Sequence, residues 1–225
     1  MTLTLVIDTA LNACTAALFD GDRMVAETVE PMARGHQERL GGMVADLFDV
    51  AGVAPRAVGR IGVTLGPGSF TGLRVGLSFA KGLATGLGIG ARGIGTLEAL
   101  GHHPDLLGKR RMSVVDGGRG QIYAQVFGMH WEGGDGEGGP IALSADSDFA
   151  SFRDIEVLTG PGAALLVNAL PQARLFTQDW PMPAAINALA QTPGHADLTP
   201  IYMRDADAKV STRGVIALSG GALTT

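Results

Sequence analysis

Apolar and turn-forming residues alternate regularly along the first thirty positions of the chain. Short apolar runs occupy residues 3–7, 13–19 and 24–29, and the segments between them contain Asp, Gly and Asn. Buried strands separated by tight turns have this pattern. The sequence therefore predicts three consecutive strands that pair as an antiparallel meander at one edge of a sheet.

Helical spacing follows this meander. Six apolar side chains recur three and four positions apart and predict a helix over 36–51: Leu40, Met43, Val44, Leu47, Phe48 and Ala51. Residues 61–65, 72–87 and 89–94 then predict a strand, a helix and a strand. This βαβ order favours parallel pairing through a right-handed crossover. A mixed sheet is expected.

The pattern of the first strands recurs in the second half of the chain. An apolar run at 112–115 ends at Asp116, and a glycine-rich turn leads to a second apolar run at 122–127. Asp8 ends the first run of the chain in the same way. We interpret this recurrence as a weak internal duplication, which predicts an α/β fold with two lobes.

The predicted lobes differ in size and regularity. Residues 1–104 form the N-terminal lobe, and residues 105–225 form a reduced second lobe with a predicted strand at 155–158 and helices near 163–169 and 183–190. A glycine-rich stretch at 132–139 predicts a flexible loop, and about twenty C-terminal residues predict a loosely attached tail.

Composition and charge narrow the classes of function. The 225 residues are 46% hydrophobic, enough for a full core, and the formal net charge is −5. Nucleic-acid affinity comes chiefly from Lys and Arg, so this chain would need a partner to bind a polyanion well. Cys14 is the only cysteine, which excludes an internal disulfide. With no signal peptide and no bilayer-spanning apolar stretch, we expect a soluble cytoplasmic protein.

A glycine-rich loop joins a predicted strand to the predicted helix at 72–87. We call residues 66–74 the motif loop, and its notable members are Gly66, Pro67, Gly68, Ser69, Phe70, Thr71, Gly72 and Arg74. Amides at a helix N-terminus bind anions, and Thr71 is placed to cap the helix. The loop lacks the ending of a phosphate-binding P-loop. A structural turn, in which Phe70 fills the core, is the alternative.

Two acidic residues end predicted strands at corresponding positions of the lobes. Asp8 and Asp116 would bind magnesium and nucleotide if both faced a central cleft, as in sugar kinases, actin and Hsp70. Alternatively, each makes a local turn with its own backbone. No metal site is predicted, because Leu40 stands where a helical partner of His36 would be, and no other ligand spacing is present.

The helix at 72–87 is unusually apolar around its circumference. Its polar side chains fall within roughly 60° of arc: Arg74, Ser78, Lys81 and Thr85. A ridge of small residues runs along it: Gly72, Gly76, Ala80 and Ala84. A helix that covers one sheet needs an apolar arc of only about 100°. Burial within the chain or contact with a partner protein explains the excess, and we favour the partner.

Five segments of the sequence resemble the TsaB (YeaZ) family. They are LTLVIDTA (3–10), GPGSFTGLRVGLSFAKGLA (66–84), GTLEALG (95–101), VVDGGRGQIYA (114–124) and PIYMR (200–204). The block at 66–84 is the most specific of them. The resemblance implies a two-lobed actin/Hsp70/sugar-kinase-like (RNase H-like) fold with mixed sheets and a reduced second lobe.

The resemblance also implies a role in tRNA modification. Members of this family are non-catalytic subunits that join the catalytic paralogue TsaD and the ATPase TsaE to make N6-threonylcarbamoyladenosine in tRNAs reading ANN codons. The complex uses ATP and threonylcarbamoyl-adenylate, whereas this subunit is expected to bind no metal or cofactor itself. It is expected to reach tRNA only through the complex, and not to bind membranes.

The family implies where the partner binds. TsaD is bound through a face built from the first two helices, and a homodimer would use the same face. The predicted partner-binding residues are Leu40, Met43, Val44, Leu47, Val75, Phe79 and Leu83. In this interpretation the motif loop shapes and caps the start of the partner-binding helix, while Asp8 and Asp116 form a vestigial nucleotide site.

Two departures from the family pattern further weaken the prediction that the chain binds a nucleotide. Ala10 stands where members often have Ser or Thr, and Gly117-Gly118 replaces a commoner Ala-Arg. Two alternatives remain. One is an ATP- or metal-dependent enzyme of the same superfamily, a kinase or a metallopeptidase, built on Asp8 and Asp116. The other is a homodimer that joins no larger complex.

Overall fold

The structure is a computed structural model that describes residues 2–128, 138–144, 146–192 and 198–203. Most of the predicted loop at 132–139 and the predicted C-terminal tail lie outside these ranges. Within them, ten strands form two five-stranded sheets. No helix in the described part of the chain is long and apolar enough to cross a membrane.

The first sheet is mixed, as predicted. Its strands are β1 (Leu3–Asp8), β2 (Ala13–Asp20), β3 (Arg23–Pro31), β4 (Val58–Gly66) and β5 (Gly90–Gly95). They lie in the order β3-β2-β1-β4-β5. The first three pair antiparallel, β4 lies parallel to β1, and β5 lies parallel to β4.

The second sheet repeats this order strand for strand. Its members are β6 (Arg111–Gly118), β7 (Gln121–Phe127), β8 (Ile141–Leu143), β9 (Val157–Thr159) and β10 (Arg174–Phe176), in the order β10-β9-β6-β7-β8. Here too the first three strands pair antiparallel and the last two are parallel additions. The predicted duplication and the two-lobed α/β fold are therefore confirmed.

Four α-helices lie around these sheets in the described residues. They are α1 (His36–Ala51), α2 (Phe70–Leu87), α3 (Thr96–Gly101) and α4 (Pro183–Gln191). Helices α1 and α2 cover one face of the first sheet, where their apolar side chains share a core with Leu5, Ile7 and Ile61. A short 3₁₀ turn at Ala163–Leu166 stands where a helix was predicted at 163–169.

Helix α4 belongs to the first lobe although it comes late in the chain. Its Ile186 and Ala190 share a core with Val6 and Ile94 of the first sheet. The Asn187 amide donates a hydrogen bond to the carbonyl of Gly21 at 3.0 Å. The boundary predicted at residue 104 therefore does not hold for this helix, because the chain returns to cover the second face of the first sheet.

The two lobes meet at a common apolar seam. Leu97 and Leu100 of α3 lie in one buried cluster with residues of both lobes, which are Ala10, Leu11, Leu73, Val115 and Tyr123. The guanidinium of Arg111 is buried and donates from Nε to the carbonyl of Gly101. The lobes are thus packed against each other, with α3 between the sheets.

Candidate functional site

Helix α2 begins inside the motif loop, earlier than its apolar spacing predicted. Ser69 is the N-cap, and its Oγ accepts a hydrogen bond from the Gly72 amide at 3.3 Å. The prediction that Thr71 caps the helix is wrong, because the backbone is already helical at Phe70 and Thr71 lies exposed in the first turn. The loop does cap α2, with a different hydroxyl.

The motif loop is pressed against the turn that follows β1. A Cβ on Gly68 would lie 2.2 Å from the Ala10 carbonyl oxygen, and one on Gly72 would lie 2.1 Å from that of Thr9. The Ser69 amide donates to the Ala10 carbonyl at 2.7 Å, and Thr9 Oγ1 donates to the Gly72 carbonyl at 2.7 Å. The chain's own backbone thus occupies the space that a bound anion would need near Ser69.

The structural-turn alternative expected Phe70 to fill the core, and this expectation is wrong. Its side chain is 41% exposed. The guanidinium of Arg74 lies 3.8 Å from the centre of its ring, and the ring of Tyr202 lies 5.1 Å away. The start of α2 therefore presents an aromatic and cationic cluster at the surface.

Asp8, at the end of β1, is completely buried. Its Oδ1 accepts hydrogen bonds from Thr64 Oγ1 at 2.6 Å and from the Ala10 amide at 3.0 Å. Its Oδ2 and the Thr15 hydroxyl directly across the strand pair have no hydrogen-bond partner among the described residues. Burial raises the pKa of Asp8 above its ordinary value, although both hydrogen bonds oppose the shift.

Asp116, the corresponding residue of β6, has the opposite environment. It is exposed, and its Oδ1 accepts a hydrogen bond from the Gly118 amide at 2.7 Å, which is the local turn that the alternative predicted. It lines an open cavity of about 540 Å³ beside Phe149 and Leu166.

The two acids do not face a common cleft. Val115 contributes to the seam between the lobes, and successive side chains of a strand point to opposite faces. Asp116 therefore points away from the first lobe, whereas Asp8 is enclosed within it. Among the residues the structure describes, no cluster of three or more His, Cys, Asp or Glu has the arrangement of a metal site.

Four of the predicted partner-binding side chains lie inside the chain's own core. Leu40, Met43, Val44 and Leu47 are each at most 3% exposed. The other three, Val75, Phe79 and Leu83, are half-buried against the same core. The first four can support a helical face but cannot form its surface, because the apolar stripe of α1 is already used to cover the sheet.

The small-residue ridge of α2 also faces inward. A Cβ on Gly76 would lie 2.4 Å from Thr9 Oγ1, and Ala80 is fully buried. The ridge does admit another backbone, but that backbone is the chain's own turn after β1. The wide apolar arc of α2 is therefore mostly covered within the chain.

A different set of small residues remains on the outside. Four exposed glycines lie on the two helices, and beyond the adjoining backbone of the same helix no described atom lies within 4 Å of a Cβ placed on any of them: Gly41, Gly42, Gly82 and Gly86. We call the outer surface of α1 and α2 around these glycines the helix face. Sequence reasoning missed it by counting glycine with the apolar residues, although glycine inside a helix is itself a signal.

The comparisons with known proteins agree with one another. The family model for TsaD, tRNA N6-adenosine threonylcarbamoyltransferase, matches residues 27–135. TsaB of Bacillus subtilis is 34% identical over 126 residues, and TsaB of Escherichia coli is 34% identical over 121 residues. These matches cover 55% and 53% of this chain, and each spans about half of the relative, 54% and 52%.

A solved structure extends the likeness to nearly the whole chain. It is an uncharacterised protein of Pseudomonas aeruginosa with similarity to the peptidase YeaZ, 27% identical. The match has a TM-score of 0.74 and covers 91% of this chain and 100% of that one. The chain belongs to the TsaB (YeaZ) family. The helix face and the motif loop both lie within the part that the family model matches.

Proposed function

We propose that the chain is a non-catalytic subunit that binds a TsaD-type transferase and thereby takes part in making N6-threonylcarbamoyladenosine in tRNAs reading ANN codons. The names of its TsaB relatives, tRNA threonylcarbamoyladenosine biosynthesis proteins, support the pathway. The outer surfaces of α1 and α2 support the mode of action. The proposed binding surface is the helix face.

The exposed glycines are the observation that carries this proposal. Glycine inside a helix costs about 1 kcal/mol relative to alanine. Gly42 and Gly82 have open space where a side chain would stand, so no contact in the described chain requires their small size. Close approach of a partner's backbone would require it. The half-buried side chains of Val75, Phe79 and Leu83 add apolar surface to α2.

The geometry of the strand ends favours a subunit without chemistry of its own. The Ser69 amide is already bonded to Ala10, and Asp8 is enclosed by protein. A magnesium–nucleotide site would need both regions to open. Calorimetry on the isolated chain tests this part. Micromolar binding of magnesium ATP that is lost on Asp8→Ala would favour the kinase or peptidase alternative instead.

The remaining parts of the assembly follow from this role. TsaE would join the pair, and the complex would use ATP and threonylcarbamoyl-adenylate in the cytoplasm. Since the chain carries a net charge of −5, the other subunits would supply most of the contacts to tRNA. Without TsaD, two copies of the chain would pair through the same helix face.

The test is the affinity of the chain for TsaD of the same organism, measured by isothermal titration calorimetry. Gly82→Arg places a long side chain on the helix face and replaces glycine with a better helix former, so the chain should stay folded. We expect at least a tenfold loss of affinity, about 1.4 kcal/mol. Ala164→Arg, at an exposed site of the second lobe, is the matched control. Equal affinity of the two variants would contradict the proposal.

A further inference from the structure

A six-residue segment near the C-terminal end of the described chain crosses the motif loop. Residues 198–203, which we call the strap, begin at Leu198 in the core beneath α1 and α2. They end at Met203, which packs on the apolar seam between the lobes. The strap contains most of the PIYMR segment, to which the proposed function assigns no task.

The strap is bonded to the end of β4. The Ile201 amide donates to the Leu65 carbonyl at 2.8 Å. A Cβ on Gly66 would lie 2.8 Å from the Ile201 carbonyl oxygen, and the φ of Gly66 is +109°, a value that favours glycine. The first glycine of the motif loop therefore allows the strap to lie directly on the strand end.

The strap is also fastened to the first turn of α2. The ring of Tyr202 lies 5.1 Å from that of Phe70, and its hydroxyl accepts a hydrogen bond from Arg74 Nε at 3.3 Å. The Arg74 guanidinium stacks on Phe70 on the same surface. Aromatic pairs and cation–π contacts each add modest stabilisation, and here they act together.

These contacts reach both sides of one loop. Leu65 and Gly66 end β4, Phe70 and Arg74 lie in the first turns of α2, and the strap contacts all four residues. Helix α2 then carries Gly82 and Gly86 of the helix face. A shift at its first turn would move that face as a unit, because a helix is a rigid element.

We propose that the strap is a latch that holds the motif loop and the first turn of α2 in position, with Tyr202 and Ile201 as positioning residues for the helix face. In this assignment Gly66, Phe70 and Arg74 are the residues that the strap contacts and holds in place. The part that concerns partner binding rests on the proposed function. The part that concerns the motif loop does not.

Hydrogen exchange, measured by mass spectrometry on the full chain, tests the latch without a partner. Tyr202→Ala removes the ring contact and the acceptor of Arg74. Exchange in residues 66–77 should become about 5- to 30-fold faster, since local opening then costs less. Residues 97–106 should not change. Tyr202→Phe keeps the ring and should stay within about threefold of the wild type.

Leu175→Ala is the matched control, because Leu175 is 44% exposed in the second lobe and Tyr202 is 43% exposed. Unchanged exchange at 66–77 in Tyr202→Ala, or an equal change in Leu175→Ala, would overturn the latch. Affinity for TsaD should fall in Tyr202→Ala and not in the control. If the wild-type chain does not bind TsaD, the proposed function fails, while the exchange result still decides whether the strap is a latch.

Discussion

The two lobes have the same strand order but retain different amounts of structure around it. The strands of the first sheet are six to nine residues long, and α1, α2 and α4 cover both of its faces. In the second sheet β8, β9 and β10 are three residues each, and 3₁₀ turns lie where helices would be. The order of a sheet can thus persist without its helices.

Helices α1 and α2, in whose place the second lobe has 3₁₀ turns, also carry the helix face. Burial of α1 requires only one stripe of that helix, and the chain's own sheet supplies it. The exposed glycines lie on the other side. Helices α1 and α2 therefore complete the core of the first lobe on one side and present the helix face on the other.

The largest expected effect is the loss of stability when a charged side chain is placed in the core beneath α1. Leu47→Arg places a guanidinium at a site that is 3% exposed, so it should lower the free energy of unfolding by at least about 4 kcal/mol or prevent folding. Leu165→Arg, at a site in the second lobe that is 53% exposed, should change it by less than about 0.5 kcal/mol. Urea denaturation measures both.

This pair of variants tests whether Leu47 lies in the core, as in the structure, or on a partner-binding surface, as the sequence predicted. The apolar spacing of Leu40, Met43 and Leu47 correctly predicted α1. Periodicity identifies which side of a helix is apolar, but it does not say whether that side meets the chain's own sheet or a partner. A Leu47→Arg variant with nearly normal stability would show that the side chain lies on the surface after all.

A smaller effect on the free energy of unfolding is expected from Asp8, at the end of β1. Burial raises the pKa of Asp8, so folding favours its protonated form. The stability that this form contributes is present below the ordinary pKa of 3.8 and is lost as the pH rises through the raised value. Asp8→Asn mimics the protonated form. It should therefore raise the free energy of unfolding at neutral pH.

The exposed counterpart supplies the control for this effect. Asp116→Asn should change the free energy of unfolding at neutral pH by less than about 0.5 kcal/mol, because Asp116 is exposed. Denaturation from pH 8 down to pH 4 should show stability rising in the wild type and a flatter profile in Asp8→Asn. A wild-type profile that is retained in Asp8→Asn would mean that Asp8 is not the group responsible.

The sequence predicted more of the local structure than of the long-range structure. The strands up to β7, helices α1 and α2, and the duplication follow from periodicity and turn residues. The return of α4 to the first sheet does not, because a helix with several apolar faces fits either lobe. The strap was also missed, since Ile201 and Tyr202 make contacts more than a hundred positions away along the chain.

The two helices of the candidate site were predicted from the sequence, but only some of its residues were. The motif loop was correctly described as capping α2, but the cap is Ser69 and not Thr71. Asp8 ends β1 as predicted, whereas β6 continues past Asp116 to Gly118, and the pleat turns Asp116 outward. Whether the helices bind TsaD stays a prediction, and the exposed glycines replace the buried leucines as the residues that test it.

The most direct test compares stability and affinity in one variant of the helix face. Gly42→Ala combined with Gly82→Ala adds two methyl groups in open space and improves two helical positions, so the free energy of unfolding should rise by about 1–2 kcal/mol. Gly72→Ala, which would contact the Thr9 carbonyl, should lower it instead. If a partner's backbone packs on these glycines, the stabilised double variant should bind TsaD at least tenfold more weakly, about 1.4 kcal/mol. A double variant that is more stable and binds TsaD as well as the wild type would contradict the account.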